Sequence, residues 1–383
     1  MTGDQRPPAK ARREGWLWRG VKRRMVVKKI DFPSLKPQAT SVSSMPACEF
    51  LCSYNWVNCK KPVVTIPGFA PIWQNNSLPI TLPKDKGVNY IDQNSFCSPQ
   101  YPFRPLFQSL ASMKPQLCFD DVDVVVNRIS LRKLLDFCEG RVRESFRINL
   151  SLVGDTLFIE RCERSLRSFI KRSHVPGYGR SFEEAFTKYP RGLEDSIGHH
   201  RVIQYPLGDL NCVVQFEVDA CYQGQDFSSP LIDQLTISDR PEGNTTYIKQ
   251  PETRGRVMPQ SMVAELKSKS KLGSSMYMPQ LWFGRTPWLI IGHHTQGIVD
   301  EVKVVDAAAR FLAWETKHQT ELRKVAAVLS QLREAVRKNE GRNCSAIYLK
   351  HSLPRSINIF PLALQTSPLP EYLVGKFWRV KNT

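Results

Sequence analysis

The chain has 383 residues, 41% of them hydrophobic, enough to bury one large core or two smaller ones and too varied for collagen, coiled coil or wholesale disorder. Lys and Arg outnumber Asp and Glu by 54 to 36, a net charge of +18, which favours a polyanionic partner such as nucleic acid, although anionic membranes also attract such a surface. Ten cysteines form no CxxC pair, and no stretch approaches the roughly 18 apolar residues that span a bilayer, so we expect reduced thiols, no membrane span, and a nuclear or cytoplasmic protein with the nucleus favoured.

Residues 1–31 are dense in Lys and Arg and broken by Pro7, Pro8 and Gly15. They read as a mobile basic arm, serving import, loose RNA contact or nothing beyond solvation. Residues 32–383 read as a single domain. From 32 to 116 Pro, Ser and Asn predict irregular chain with short strands such as Val63–Ile66. VDVVVNRISLRKLLDF then predicts a strand passing into an amphipathic helix with Leu131, Leu134 and Leu135 inward. RINLSLVGDTLFIERC reads as a hairpin about Val153-Gly154-Asp155, and GYGRSFEEAFTKY as a Gly-rich turn opening a helix. HHRVIQYPLGDLNCVVQFEVDACY gives two strands around Leu207-Gly208-Asp209, and 227–259 reads as a long loop. SMVAELKSKS and TPWLIIGHH follow as strands around an amphipathic MPQLWFG. A helix is expected over 307–338, with Leu322, Val325, Leu329, Leu332 and Val336 as its inner stripe. Gly341 stops it, and CSAIYLK closes the regular region. The fold class is α/β (α+β), a mixed central sheet with flanking helices and additional strands.

Two strands carry charge where apolar residues dominate. In VVQFEVDACY, Glu217 and Asp219 lie two apart and so face the same side. In SMVAELKSKS, Glu265 and Lys267 do likewise. Each pattern alone is as well explained by a solvated strand face. Together they bring three carboxylates and an ammonium to one place, a set able to hold hard divalent ions through oxygen and to handle a water beside them.

The order E-x-D, then E-x-K, resembles the PD-(D/E)XK nuclease superfamily and, more narrowly, the decapping exoribonuclease (DXO) family. VNRISLRKLL resembles that family's arginine motif, with Arg128 at the phosphate-contacting arginine and Lys133 at the lysine five residues on. GYGRSFEEAF resembles its G-Y-x-F-E motif at Glu183, with Glu184 the alternative. FEVDA and AELKSKS match its acidic motifs, and PQLWFGRTPWLIIGHH keeps Gln280, Pro287 and Gly292 in step. The resemblance covers 122–294, and the helix and strand over 307–350 suit the family's tail.

The resemblance implies a nuclease-type mixed sheet and a divalent-metal-dependent RNA 5′-end hydrolase, a decapping or pyrophosphohydrolase enzyme with 5′-to-3′ degradation in prospect, acting in RNA quality control. It implies two Mg²⁺ or Mn²⁺ ions on Glu183, Glu217, Asp219, Glu265 and the Leu266 carbonyl, with Lys267, Glu265 and Asp219 catalytic. Arg128, Lys133 and Gln280 would bind the RNA 5′ end, and a 5′-3′ exoribonuclease is an implied partner. A catalytically silent RNA-binding scaffold is the alternative, because Asn127 and Ile129 replace the residues that flank the family's arginine. A prenyl diphosphate synthase is disfavoured: Asp120, Asp121 and Asp123 are followed by Val124, and no second aspartate motif exists.

Overall fold

The structure, a computed structural model, describes residues 14–45, 47–170, 177–224, 251–270 and 275–379. Its frame is a pair of mixed sheets, one of eleven strands and one of seven, with a separate two-stranded ribbon. Strand β1 (Val124–Asn127) starts as a wholly buried valine run, and Asn127 ends it by capping helix α1 (Arg128–Cys138), its side-chain oxygen accepting from the Ser130 N–H at 2.8 Å. Leu131, Leu134 and Leu135 of α1 point into the main core, as predicted. They face the long helix Gln319–Lys338, whose five predicted stripe residues are all buried. Each such side chain contributes about 1.5–3 kcal/mol relative to exposure.

Helix α2 (Gly179–Phe186) follows the Gly-rich turn. Strands β2 (Ser196–Leu207) and β3 (Leu210–Val218) form the predicted antiparallel hairpin, with Gly208 at φ +65 in the turn. In the large sheet β3 lies parallel to β1. The chain then changes sheet. Strand β4 (Ala220–Cys221) pairs with β5 (Val263–Lys269) in the smaller sheet, leaving Asp219 at the junction. From β5 the chain passes through helix α3 (Met278–Phe283) to β6 (Trp288–Thr295), parallel to β5.

Several expectations are corrected. Residues 1–13 of the basic arm lie outside the described residues, but from Glu14 onward the arm is folded: Leu17 is buried and Lys28–Asp31 pairs with Ser356–Pro361. The region 32–116 contains a nine-residue strand, Glu49–Val57, and a helix, Arg104–Met113. Within the loop expected over 227–259, residues through 250 lie outside the described ones, while Glu252–Gly255 forms a strand parallel to Val64–Gly68. The helix over 307–338 breaks at His318, and the break leaves Glu315 buried, accepting from the Ser44 N–H at 2.7 Å and Trp282 Nε1 at 2.8 Å.

The strand Ile298–Asp306 was missed because most of its side chains face solvent and its valines are interrupted by Asp300, Glu301 and Lys303, which leaves no strict apolar alternation. It pairs with β6 across a turn in which Gln296 and Gly297 both take positive φ, 51 and 95. CSAIYLK is not the last regular element, since Ser356–Pro361 and the helix Glu371–Phe377 follow. Two mixed sheets rule out the all-helical synthase. No helix among the described residues is long and apolar enough to cross a membrane.

Candidate active site

The acids converge where the two sheets meet. On β5, Ala264 and Leu266 pack into an apolar cluster with Phe182 and Phe186 of α2, so strand alternation turns Glu265 and Lys267 together to the other side. There the Lys267 ammonium lies 2.5 Å from Glu265 Oε1, 2.7 Å from the Leu266 carbonyl oxygen and 3.5 Å from Asp219 Oδ2. Asp219 also accepts the Leu266 N–H at 2.9 Å, which ties the junction to β5. On α2, Phe182 and Phe186 bury one face, and the next residue, Glu183, is half-buried beside the cluster. Glu184 points outward and pairs with Arg180 at 2.8 Å. Of the two candidates, Glu183 is the one whose carboxyl feels the charges of Asp219, Lys267, Glu217 and Glu265.

Arg128 enters from the first turn of α1 and donates to Glu265 Oε2 and to the Glu217 carbonyl oxygen, both at 3.2 Å. Its guanidinium carbon lies 5.0 Å from the Phe216 ring centroid. Gly284 leaves room for it, since a Cβ there would come 3.0 Å from Nη1. Nη1 itself is buried without a partner. Gln280 on α3 donates to Glu265 Oε1 and accepts from Arg132 at 2.8 Å.

These contacts sort the carboxyls. Burial alone would raise Glu265, but Lys267 and Arg128 outweigh it and hold the group at about 2. Burial and the neighbouring Glu265 charge push Asp219 up to about 6. Glu183 is driven well above the ordinary carboxylate range by burial and then by Asp219. Glu217, enclosed by protein yet reached by solvent through the cleft, shifts upward for the same two reasons. Burial would lower Lys267, but the carboxylates of Glu265 and Asp219 raise it, so it stays charged.

Glu217, Asp219, Glu265, Arg128 and Gln280 line a cavity of about 270 Å³. Its far wall is a hydrogen-bonded polar network that the sequence reading missed. His200 stacks on Tyr54 with centroids 5.1 Å apart and bonds Gln93 at 2.9 Å, while Tyr54 donates to Asn94 at 2.8 Å. Burial lowers His200 to about 3, leaving the ring neutral. Arg132 was missed as well, although it follows Arg128 by four residues on a helix, the spacing that puts two side chains on one face. Lys133, one step further round α1, pairs instead with Glu163 at 2.6 Å on the wall of a neighbouring cavity.

Glu183, Glu217, Asp219 and Glu265, with the Leu266 carbonyl, make an all-oxygen donor set whose crowded acids suit a hard divalent ion. Among the described residues, however, no three His, Cys, Asp or Glu side chains form a ready metal group. The Lys267 ammonium already touches Glu265, Leu266 and Asp219. An ion on those three groups requires the ammonium to swing aside.

Solved structures share this fold at low identity. Candida albicans Rai1, in complex with pU5-Mn²⁺, aligns with a TM-score of 0.60 at 14% identity over 92% of this chain and 98% of that one. S. pombe Rai1, in complex with 3′-FADP, gives 0.55 at 12% over 88% and 99%, and K. lactis Dxo1, in complex with manganese, 0.55 at 10% over 89% and 99%. The resemblance in the sequence to the decapping exoribonucleases therefore holds at the level of the fold. No curated protein matches the sequence. The chain belongs to the family described as a domain of unknown function, DUF8563, whose match spans residues 24–378.

Proposed function

We propose that this protein is a divalent-metal-dependent hydrolase acting at RNA 5′ ends. The reading is carried by one observation: Glu217 and Asp219 from one strand, Glu265 and Lys267 from another, and Arg128 from a helix N-terminus meet beside one cavity. The Rai1 and Dxo1 fold, and the pU5-Mn²⁺ bound by one such structure, support it. Glu183, Glu217, Asp219, Glu265 and the Leu266 carbonyl would hold two Mg²⁺ or Mn²⁺ ions, which supply Lewis acidity at the phosphate. Arg128 and Arg132 place two guanidiniums on one wall of the cavity, where a phosphate would sit. Lys267, fully charged, would orient the attacking water and offset negative charge as it grows on the phosphoryl oxygens. Gln280 holds both Glu265 and Arg132 in place.

The test is hydrolysis of triphosphorylated and capped RNA with Mn²⁺ or Mg²⁺, by the wild type and by Glu217→Ala/Asp219→Ala. Cleavage that needs the metal and is lost in the double variant is expected. No divalent-dependent turnover on any 5′-end form would end the enzyme reading. A second reading, an RNA-binding protein without catalysis, is favoured by the Lys267 ammonium, which already pairs with Glu265 and Asp219. RNA binding without turnover would select it.

A further inference from the structure

A second, larger cavity of about 1270 Å³ opens beside the first. The two abut at three places: Arg161 lines both, Arg132 and Lys133 are consecutive on α1 but face different cavities, and so do Gln280 and Pro279 on α3. The partition is thus side chains, chiefly Lys133, Glu163 and Arg161, with Glu163 held by both cations at 2.6 and 2.7 Å.

We propose that this second cavity is the track for single-stranded RNA leaving the first, where the backbone downstream of the 5′ end is held. The proposal rests on the RNA reading above, not on hydrolysis. Its charge supports it. Most of the acids lining the track are already engaged: Glu163 as described, and Asp136 and Glu139 by Arg141, with His318 also 3.3 Å from Glu139. Four exposed cations, Arg143, Arg164, Lys317 and Lys350, form no ion pair among the described residues. Unspent positive charge along a groove is what a phosphate backbone binds, whatever its sequence. Two half-buried aromatic rings, Trp16 and Trp314, also line the groove. Trp314 is held by its stack on His318, with centroids 4.8 Å apart, and such a fixed indole is a platform for a base.

The experiment measures binding of 5′-monophosphorylated RNA of two and of twelve nucleotides without divalent ions, by the full chain and by Arg143→Gln/Arg164→Gln/Lys317→Gln/Lys350→Gln. All four positions are exposed, so folding should survive, and a circular dichroism melt checks it. The expected result is a loss of at least about tenfold for the twelve-mer, a smaller salt dependence by roughly 0.7 in log–log slope per lost contact, and little change for the dinucleotide. Trp314→Ala should weaken only the twelve-mer, by on the order of tenfold. Equal binding of the long RNA by variant and wild type would overturn the track, and so would an equal loss for both lengths. A wild type that binds RNA but never cleaves it would sink the hydrolase reading and leave the track standing.

Discussion

Lys267 and Glu265 project from the same face of β5, and their charged atoms lie 2.5 Å apart. The ammonium thus stabilises in advance the carboxylate that a divalent ion would otherwise neutralise. Replacing it separates the two roles. Lys267→Met is expected to lower any hydrolysis by about 10²-fold or more while Mn²⁺ binding, followed by electron paramagnetic resonance, stays level or tightens because a competing cation is gone. Weaker Mn²⁺ binding in the variant would show that the lysine assists the ion.

Arg128 is the second cation on Glu265 and lies in a drier place, with both side chains almost wholly buried. Removing one partner of such a pair strands the other, at a cost of roughly 3–5 kcal/mol. Lys267 and Gln280 remain on Glu265, so Arg128→Met should fall at the lower end, about 3 kcal/mol, in urea unfolding. A cost below about 1 kcal/mol would mean that the pair contributes little.

Glu160 lines the same cavity, and burial, then the Asp92 charge, raise it to about 7 against the help of Asn149 and Arg147. A carboxyl raised on folding holds its proton longer in the folded state, so its contribution is present below the unfolded value near 4.5 and is lost as pH rises through about 7. The full shift corresponds to at most about 3 kcal/mol, and partial access to water reduces this to on the order of 1–2 kcal/mol. Wild type should therefore lose stability between pH 5 and 8, on the order of 1–2 kcal/mol more than Glu160→Gln does. Parallel stability–pH curves for the two would refute the assignment.

Gly292, on β6, faces the ring of Phe182, and a Cβ there would run into it. Phe182 precedes Glu183, so the glycine fixes how closely α2 approaches the small sheet and where that carboxylate sits. Gly292→Ala should cost about 1–3 kcal/mol in chemical denaturation by overpacking and should also weaken Mn²⁺ binding. Lost stability with unaltered Mn²⁺ affinity would separate the packing from the site.

Much of the site was legible because its chemistry is periodic. Two residues apart on a strand is a statement about direction, so E-x-D and E-x-K could be placed on shared faces before any fold was known. Arg128 was placed only through its resemblance to the arginine motif, and the Asn127 cap that sets it at the start of α1 went unread. Lys133 shows the limit of matching by spacing alone: position 133 lies 100° round the helix from 132, and that single step sends it to another cavity. The His200, Gln93, Asn94 and Tyr54 wall was hidden because its members come from three separate segments and each, alone, is an ordinary polar residue. The strand after Gly297 was hidden for the opposite reason: its valines are interrupted by Asp300, Glu301 and Lys303, so no strict apolar alternation marks it.

Asp219 sits where the chain leaves one sheet and enters the other. Glu217 therefore belongs to one half of the molecule and Glu265 to the other, and anything bound between them is a clasp joining two plates. A slight change in the angle between the plates alters the reach of every carboxylate at once, so the shape of the whole frame sets the grip of a site only a few residues wide. Conversely, a bound ligand should quiet the frame, with amides along β3 and β5 exchanging more slowly well beyond the residues that touch it.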